Sequence, residues 1–434
     1  MKKDFIEELK WRRMLHDATP GAAELLNKEV VTGYIGFDPT ADSLGVGNLV
    51  QVMMLLHFQQ CGHKPVALIG GATGMVGDPS GKSEERNLLD EAALAHNLSS
   101  QRKQLERFLD FTPGPNAAEI VNNYDWIKGI SFLEFIRDVG KHITVNYMMA
   151  KDSVKKRIAG DDRDGMSFTE FSYQLIQGYD FFWLWKNKGV KLQMGGSDQW
   201  GNILTGTELV RRKGQGSALG ITTPLITKGD GSKFGKTENG NVWLDAKRTS
   251  PYEFYQFWLN ASDDDAKNYI RIFTLLDRAT VEALEAEHTA NPSARALQKR
   301  IASDITVRVH GNDELTVVLA ATDVLFGKGT LAQLQSLTDA QFLSVFKGAG
   351  VPQAELPRSL LAAGLPVIDL VSDHAKLVAS KGEAKKLIQG NGLSINKEKV
   401  TDLKAVADAN QLINRSYLLL QKGKKDYCLV KFVD

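Results

Sequence analysis

Two lysines three residues apart, Lys233 and Lys236, stand in the run Lys233-Phe234-Gly235-Lys236-Thr237, with Gly229-Asp230-Gly231 before it and Glu238-Asn239-Gly240 after. Paired ammonium groups on a loop hinged by glycine are suited to clamping a polyphosphate while negative charge shifts across it, so the run points to nucleotide chemistry. Taken alone, five such residues also fit a solvated basic turn. A rival phosphate site, Gly77-Asp78-Pro79-Ser80-Gly81-Lys82-Ser83, is one residue shorter than G-x-x-x-x-G-K-[ST], and Pro79 removes one of the N–H donors that such a loop needs. A dinucleotide site is disfavoured, because no G-x-G-x-x-G opens the first long helix.

The elements that must position these residues follow from hydrophobic spacing. Val30 to Phe37 is β-rich, Leu49 to Phe58 has helical spacing, and Pro65 to Ile69 is a second short strand. Further strands end at Val121-Asn122-Asn123 and Lys191-Leu192-Gln193, with helical stretches at Phe168 to Trp185 and Ile203 to Arg212. Such alternation predicts an α/β fold with a Rossmann-like, doubly wound, mostly parallel sheet, whose ligands bind beyond the carboxyl ends of the strands. Polar clusters fall at those ends: Asp38-Pro39-Thr40, Gly70 to Gly74, Asn122-Asn123 and Gly195 to Gln199.

From Pro251 to about Phe346 only helical patterns remain. A Gly/Pro-punctuated connection from Gly348 through Arg358 then leads to a helix at Gly382 to Ile388, a strand at Leu393 to Asn396 and a hairpin around Gln421 to Lys425. The expected domains are a catalytic domain over 1–228, a lysine loop with an α-helical domain over 229–347, and a small α+β RNA-binding domain over 355–434. Beyond Leu361 there are twelve Lys/Arg against eight Asp/Glu, a local excess of the kind an RNA-backbone reader needs, although a solvated charged surface has the same composition.

Composition narrows the class. With 434 residues, 43% of them hydrophobic, the chain can bury two or three full cores, and a net charge of +1 confines any nucleic acid to a local patch. No apolar run reaches the roughly 18 residues that span a bilayer, and the mixed N-terminus lacks the apolar centre of an export signal. Cys61 and Cys428 lack metal-ligand spacing, which fits buried thiols in a reducing compartment; the cytosol is the expected location, with neither a membrane nor a protein-held metal.

The segment Asp38-Pro39-Thr40-Ala41-Asp42-Ser43-Leu44-Gly45-Val46-Gly47-Asn48 sits between the first strand and the first long helix. Together with Lys233 to Thr237 it resembles the paired signature of class I aminoacyl-tRNA synthetases, a His-Ile-Gly-His-like element and a Lys-Met-Ser-Lys-Ser-like loop. The blocks Tyr34 to Thr40, Gly70 to Gly74, Gly77 to Ser80, Asn122 to Trp126, Phe171 to Asp180 and Gln193 to Asn202 are similar to those of the bacterial-type tyrosyl-tRNA synthetases. The likeness covers the catalytic core, and the basic unit beyond Leu361 resembles the small tRNA-binding domain that ends bacterial members.

That resemblance implies residue roles. Tyr34 and Asp180 would meet the phenolic hydroxyl of L-tyrosine, and Tyr173, Gln177 and Asp78 its α-ammonium, while Thr73, Asn123, Gln193 and Gln199 would orient the remaining polar groups. Gly36, Asp38, Gly47, Asn48, Gly196 and Asp198 would contact ATP. Thr40, Lys82, Arg86, Lys233, Lys236 and Thr237 would bind charge on the departing pyrophosphate, with Mg²⁺ accompanying ATP. Lys151, Lys155, Lys156, Arg211 and Arg212 are candidate phosphate contacts for tRNA(Tyr), and the family works as a homodimer.

The sequence departs from the family at Gly45 and Asn48, the first and last positions of the His-Ile-Gly-His-like element. Asparagine keeps an N–H donor, whereas glycine removes the imidazole that in relatives helps hold the γ-phosphate side of the transition state. Slow adenylate formation is the expectation. A non-catalytic RNA-binding protein on a synthetase scaffold is the main alternative, opposed by retention of both loop lysines and of Tyr34 and Asp180; a tryptophan-specific relative is the nearer one.

Overall fold

The computed structural model describes residues 3–80, 90–151, 154–155, 166–229, 231, 234–237, 240–326, 330–362, 364–423 and 426–434. Two compact units divide the chain, one of Met1–Asp245 with Asn260–Ile301 and the other of Ala246–Leu259 with Ala302–Asp434.

Six strands make the sheet of the first unit: β1 (Asp17–Ala18), β2 (Thr32–Phe37), β3 (Lys64–Ile69), β4 (Glu119–Asn122), β5 (Val190–Gly196) and β6 (Leu219–Thr223). Their order is β1-β6-β5-β2-β3-β4, parallel throughout except for β1 against β6. Central strands covered on both faces need near-continuous apolar runs, and β3, Lys-Pro-Val-Ala-Leu-Ile, is buried from its second residue onward. From β2 the chain passes through helix α1 (Val46–Gln60) to β3 on one side, while β5 pairs with β2 on the other, Tyr34 opposite Gln193. The order reverses there, which opens a crevice at the carboxyl ends of β2 and β5.

Helix α2 (Phe168–Lys188) starts on a capping box between Ser167 and Glu170 and stops at Gly189, whose φ of 65° only glycine adopts readily. Helix α3 (Trp200–Gly214) follows β5 directly. All the strands and helices expected around the crevice are present; the three helices run a few residues beyond their apolar spacing, whereas β2 starts at Thr32, later than the expected Val30. The sequence reading did not anticipate β1, β6 or the helix Glu91–Phe108. Strand β6, Leu-Gly-Ile-Thr-Thr, carries a weak apolar signal of its own and is fixed by pairing with β5.

In the second unit the helices Pro251–Leu259, Asn312–Phe326, Leu331–Gln335 and Asp339–Gly348 precede a five-stranded sheet. That sheet runs Glu398–Lys399, Leu393–Ile395, Tyr417–Lys422, Asp426–Val433, Gln353–Pro357, with helix Lys381–Gln389 packed on a core that includes Leu370, Ile388, Leu393, Leu418 and Val430. One expectation is corrected. Gln353–Pro357 is not connecting chain but an edge strand, parallel to Asp426–Val433; prolines at both of its ends hide it in the sequence, and an edge tolerates them.

Candidate active site

A cavity of ≈ 300 Å³ opens at the crevice, lined by residues from β2, α1, α2, β5 and the turns that follow the strands. Its lining residues run from Tyr34 to Leu225, segments far apart in the chain that the parallel sheet brings together.

At its base lies a phenol-sized set. Tyr34 is 1% exposed and, among the described residues, its buried hydroxyl has no hydrogen-bond partner. Beside it Asp180, also 1% exposed, accepts at Oδ2 from Asn123 Nδ2 (2.9 Å) and at Oδ1 from Trp126 Nε1 (2.8 Å). Trp126 is itself stacked on Trp183 with ring centroids 4.3 Å apart. Burial pushes the Asp180 carboxyl up to about 7 against the pull of the two donors, and nearby Asp38 adds to the rise. Burial also holds the Tyr34 hydroxyl well above its ordinary value, with the charge of Asp180 contributing, so Tyr34 remains protonated.

A chain of hydrogen bonds leads outward. Asp38 accepts at Oδ1 from Thr73 Oγ1 (2.7 Å) and at Oδ2 from the Tyr173 hydroxyl (2.9 Å). Asp78 accepts from Gln199 Nε2 (2.7 Å) and from the backbone N–H of Ser80 (2.9 Å), and Gln177 Nε2 donates to Gln199 Oε1 (3.3 Å). Asn123 stands behind the wall instead of lining it, donating to Thr73 Oγ1 (3.1 Å) and accepting from the N–H of Ala72 (2.7 Å). Asp38, assigned from sequence to ATP, is therefore bonded to two residues assigned to tyrosine and sits between the halves. Asp198 is also raised, first by burial and then by the charge of Asp78.

The N-terminus of α1 supplies the other wall. Gly45 is the N-cap with φ −94° and ψ 168°, and its N–H donates to Asn48 Oδ1 (3.1 Å). The Val46 N–H donates to the Val242 carbonyl (3.0 Å) and the Asn48 N–H to that of Gly45 (3.0 Å), and Gly47 and Asn48 line the cavity at the positive end of the helix dipole.

Of the residues expected from sequence, Tyr34, Gly36, Asp38, Thr40, Gly47, Asn48, Thr73, Asp78, Tyr173, Gln177, Asp180, Gln193, Gly196, Asp198 and Gln199 line this one cavity. Lys82, Arg86, Lys156 and Lys233 lie outside the described residues. Lys236 and Thr237 form an exposed strand paired with Gly240–Asn241 and do not line the cavity; the Lys236 carbonyl accepts from Lys228 Nζ (2.8 Å). Lys151 is turned inward onto the carbonyl of Gly201 and the hydroxyl of Thr205, and burial brings its ammonium down to about 7, so it is no solvated cation. Arg211 and Arg212 share Glu208, Arg211 Nη2 at 2.7 Å. Sequence reasoning gives no role to Trp126, beside Asn122 and Asn123, or to Gln51, one polar position in an apolar helix. Gln51 Nε2 donates to Thr223 Oγ1 (3.1 Å).

A crevice at the switch point of a parallel sheet, over a helix N-terminus and joined to a buried slot with polar ends, is the arrangement of the Rossmann-like nucleotide-binding class. Comparison with known proteins places it further. Residues 26–327 match the family model for class I tRNA synthetases (W and Y), and residues 343–430 match the tyrosine–tRNA ligase SYY-like C-terminal domain. Tyrosine–tRNA ligase of Bacteroides fragilis is 59% identical over 428 residues, 98% of this chain and 99% of that one, and that of Bacteroides thetaiotaomicron is equally close at 59% over the same shares. The crystal structure of a C-terminally truncated Aspergillus nidulans mitochondrial tyrosyl-tRNA synthetase superposes with a TM-score of 0.67 at 32% identity, covering 75% of this chain and 94% of that one. The chain belongs to the class I tRNA synthetases, on the branch for tryptophan and tyrosine.

Proposed function

We infer that the cavity seats L-tyrosine with its phenol between Tyr34 and Asp180 and presents its carboxylate to ATP. The chain is a tyrosine–tRNA ligase. The observation that carries the tyrosine reading is the pairing, in one buried slot, of an orphaned hydroxyl with a carboxylate: a phenol O–H donates to Asp180 while its oxygen accepts from Tyr34. An indole offers one N–H and no acceptor, which leaves Tyr34 unsatisfied and opposes the tryptophan reading.

In the first step a tyrosine carboxylate oxygen bonds to the α-phosphorus of ATP as the bond to the bridging oxygen breaks and pyrophosphate leaves. The nucleophile is already ionised, so this chain's task is orientation and charge stabilisation. Asp78, Tyr173 and Gln177 hold the ammonium, with Thr73, Asn123 and Gln199 fixing their partners. Asp38, Gly36, Gly196 and Asp198 receive the nucleoside, and Gly47 and Asn48, at the positive end of the α1 dipole, face the phosphates. Thr40 with Lys82, Arg86, Lys233, Lys236 and Thr237 stabilises the leaving pyrophosphate. In the second step the 3′-terminal ribose hydroxyl of tRNA(Tyr) attacks the tyrosyl carbonyl and AMP departs.

No group of three His, Cys, Asp or Glu side chains able to hold a metal ion occurs among the described residues. Mg²⁺ belongs in this scheme to ATP as its counter-ion, and no step is assigned to it.

A homodimer is supported by an apolar face on the first unit. Phe132 (66% exposed), Ile136 (42%), Val145 (59%) and Phe168 (66%) line an apolar hollow of ≈ 750 Å³, far more than a lone exposed side chain would present. The three-part division at 1–228, 229–347 and 355–434 and a cytoplasmic location complete the proposal; no helix among the described residues is long and apolar enough to cross a membrane. Charging of tRNA(Tyr) with labelled tyrosine tests the function: transfer that depends on ATP supports it, and binding of tRNA without transfer leaves the non-catalytic scaffold instead.

A further inference from the structure

Helix Asp263–Phe273 grips the lysine loop at two points along one face. Asp265, Tyr269 and Phe273 follow each other at four-residue steps, so they stack one above another. Asp265, 9% exposed, accepts at Oδ1 from the backbone N–H of Gly229 (3.0 Å), where the loop begins, and at Oδ2 from the Ser262 hydroxyl (2.8 Å). Further along, Tyr269 and Phe273 receive Phe234, with ring centroids 5.1 Å and 5.4 Å away and the Phe273 pair stacked at 18°. Although it lies in a lysine-rich loop, Phe234 is only 8% exposed.

The helix is braced from behind. Arg12, 1% exposed, donates through Nη1 to the carbonyls of Arg271 (2.6 Å) and Thr274 (2.9 Å) and through Nη2 to that of Leu276 (2.8 Å), and Arg271 Nη1 donates to the carbonyl of Trp11 (3.0 Å). Such a charge, fully hydrogen-bonded to the end of a helix, ties down the three carbonyls it meets. The exit of the loop is tied as well: Val242 N–H donates to the Gly235 carbonyl (2.9 Å), and Val46 N–H, at the start of α1, to the Val242 carbonyl (3.0 Å).

We propose that helix Asp263–Phe273 is the seat that registers the lysine loop on the nucleotide, with Asp265 and Phe234 as positioning residues for adenylate formation. The proposal rests on reading that loop as the phosphate clamp. Among the described residues that line the tyrosine–ATP cavity neither Asp265 nor Phe234 appears, so each acts through the loop: Asp265 fixes its entry, and Phe234 fixes the backbone next to Gly235 and Lys236. A displacement of about 1 Å in a group that stabilises the transition state costs on the order of 10²-fold in rate.

The test compares full-length Asp265→Ala, Asp265→Asn and Phe234→Ala with the unmodified chain, measuring tyrosine affinity by equilibrium dialysis and adenylate formation in a single turnover at saturating ATP. The expected result is unchanged tyrosine affinity with a rate lower by on the order of 10- to 100-fold in both alanine variants. Asp265→Asn recovers most of the rate, since its Oδ1 still accepts from Gly229. Alanine variants as fast as the unmodified chain overturn the proposal, and so does a tyrosine affinity that falls in step with the rate. An unmodified chain that forms no adenylate overturns the functional reading beneath it, whereas one that forms it at the variants' rate removes the seat alone.

Discussion

Gly235 lies against the first turn of α1 so closely that a Cβ on it would stand 3.2 Å from the backbone nitrogen of Gly47 and 2.9 Å from Val46 Cγ2. The two halves of the nucleotide signature therefore meet through backbone, and the φ of +82° at Gly235 is one that a residue with a side chain adopts only under strain. Gly235→Ala is expected to lift the loop away from the helix and slow adenylate formation by on the order of 10-fold or more. Tyrosine binding should survive, because the slot around Tyr34 does not include the loop. Stopped-flow adenylate formation beside equilibrium tyrosine binding separates the two.

Gly45 sets a second expectation. Its φ of −94° suits any residue, and an added Cβ would meet the Val242 carbonyl at 3.3 Å, so a side chain fits after a shift of a few tenths of an ångström. Gly45→His restores a donor beside the phosphates. Loss of one comparable donor costs roughly 10²- to 10³-fold in other enzymes, and a gain of that order in the single-turnover rate is predicted. An unchanged rate would show that another group already fills this role.

Asp180 should make tyrosine binding depend on pH. Its carboxyl, raised to about 7 by burial, holds its proton below that pH and accepts a phenol hydrogen bond best as the anion above it. Tyrosine affinity is predicted to weaken as pH falls from 8 towards 6, and Asp180→Asn should flatten the dependence. Calorimetric titrations at several pH values check this.

Phe132 and Phe168 line an exposed apolar hollow of the kind that marks an interface. Phe132→Asp places a charge on the wall of the hollow and should turn a dimer into a monomer at micromolar concentration, read by sedimentation velocity. Helix α2 carries Phe168, Phe171 and Leu175 towards that hollow and Tyr173, Gln177 and Asp180 towards the tyrosine slot, so the monomer should also bind tyrosine more weakly.

The place of the site was legible because polar clusters fall at strand ends, Asp38 to Thr40 after one strand and Gly195 to Gln199 at the end of another. Tyr34, Tyr173, Gln177 and Asp180, inside a strand and along a helix, were legible only through the resemblance to a known family. Trp126 was not legible in the same way, since its role depends on a single indole N–H aimed at Asp180 across the sheet. The inward turn of Lys151 depends on acceptors at Gly201 and Thr205, some fifty residues further on. Short strands such as β1 and Gln353–Pro357 exist only through their partners, and a local pattern carries no trace of them.

Selection of tyrosine depends on a slot built for a phenol. Calorimetric titration of the full chain with L-tyrosine and L-phenylalanine, repeated with Tyr34→Phe, tests it most directly. Tyrosine should bind and phenylalanine, which leaves Tyr34 and Asp180 buried without their partner, should bind weaker by on the order of 1 to 3 kcal/mol or more. Tyr34→Phe should narrow the gap. Equal affinity for the two amino acids, or heat from neither, would contradict it.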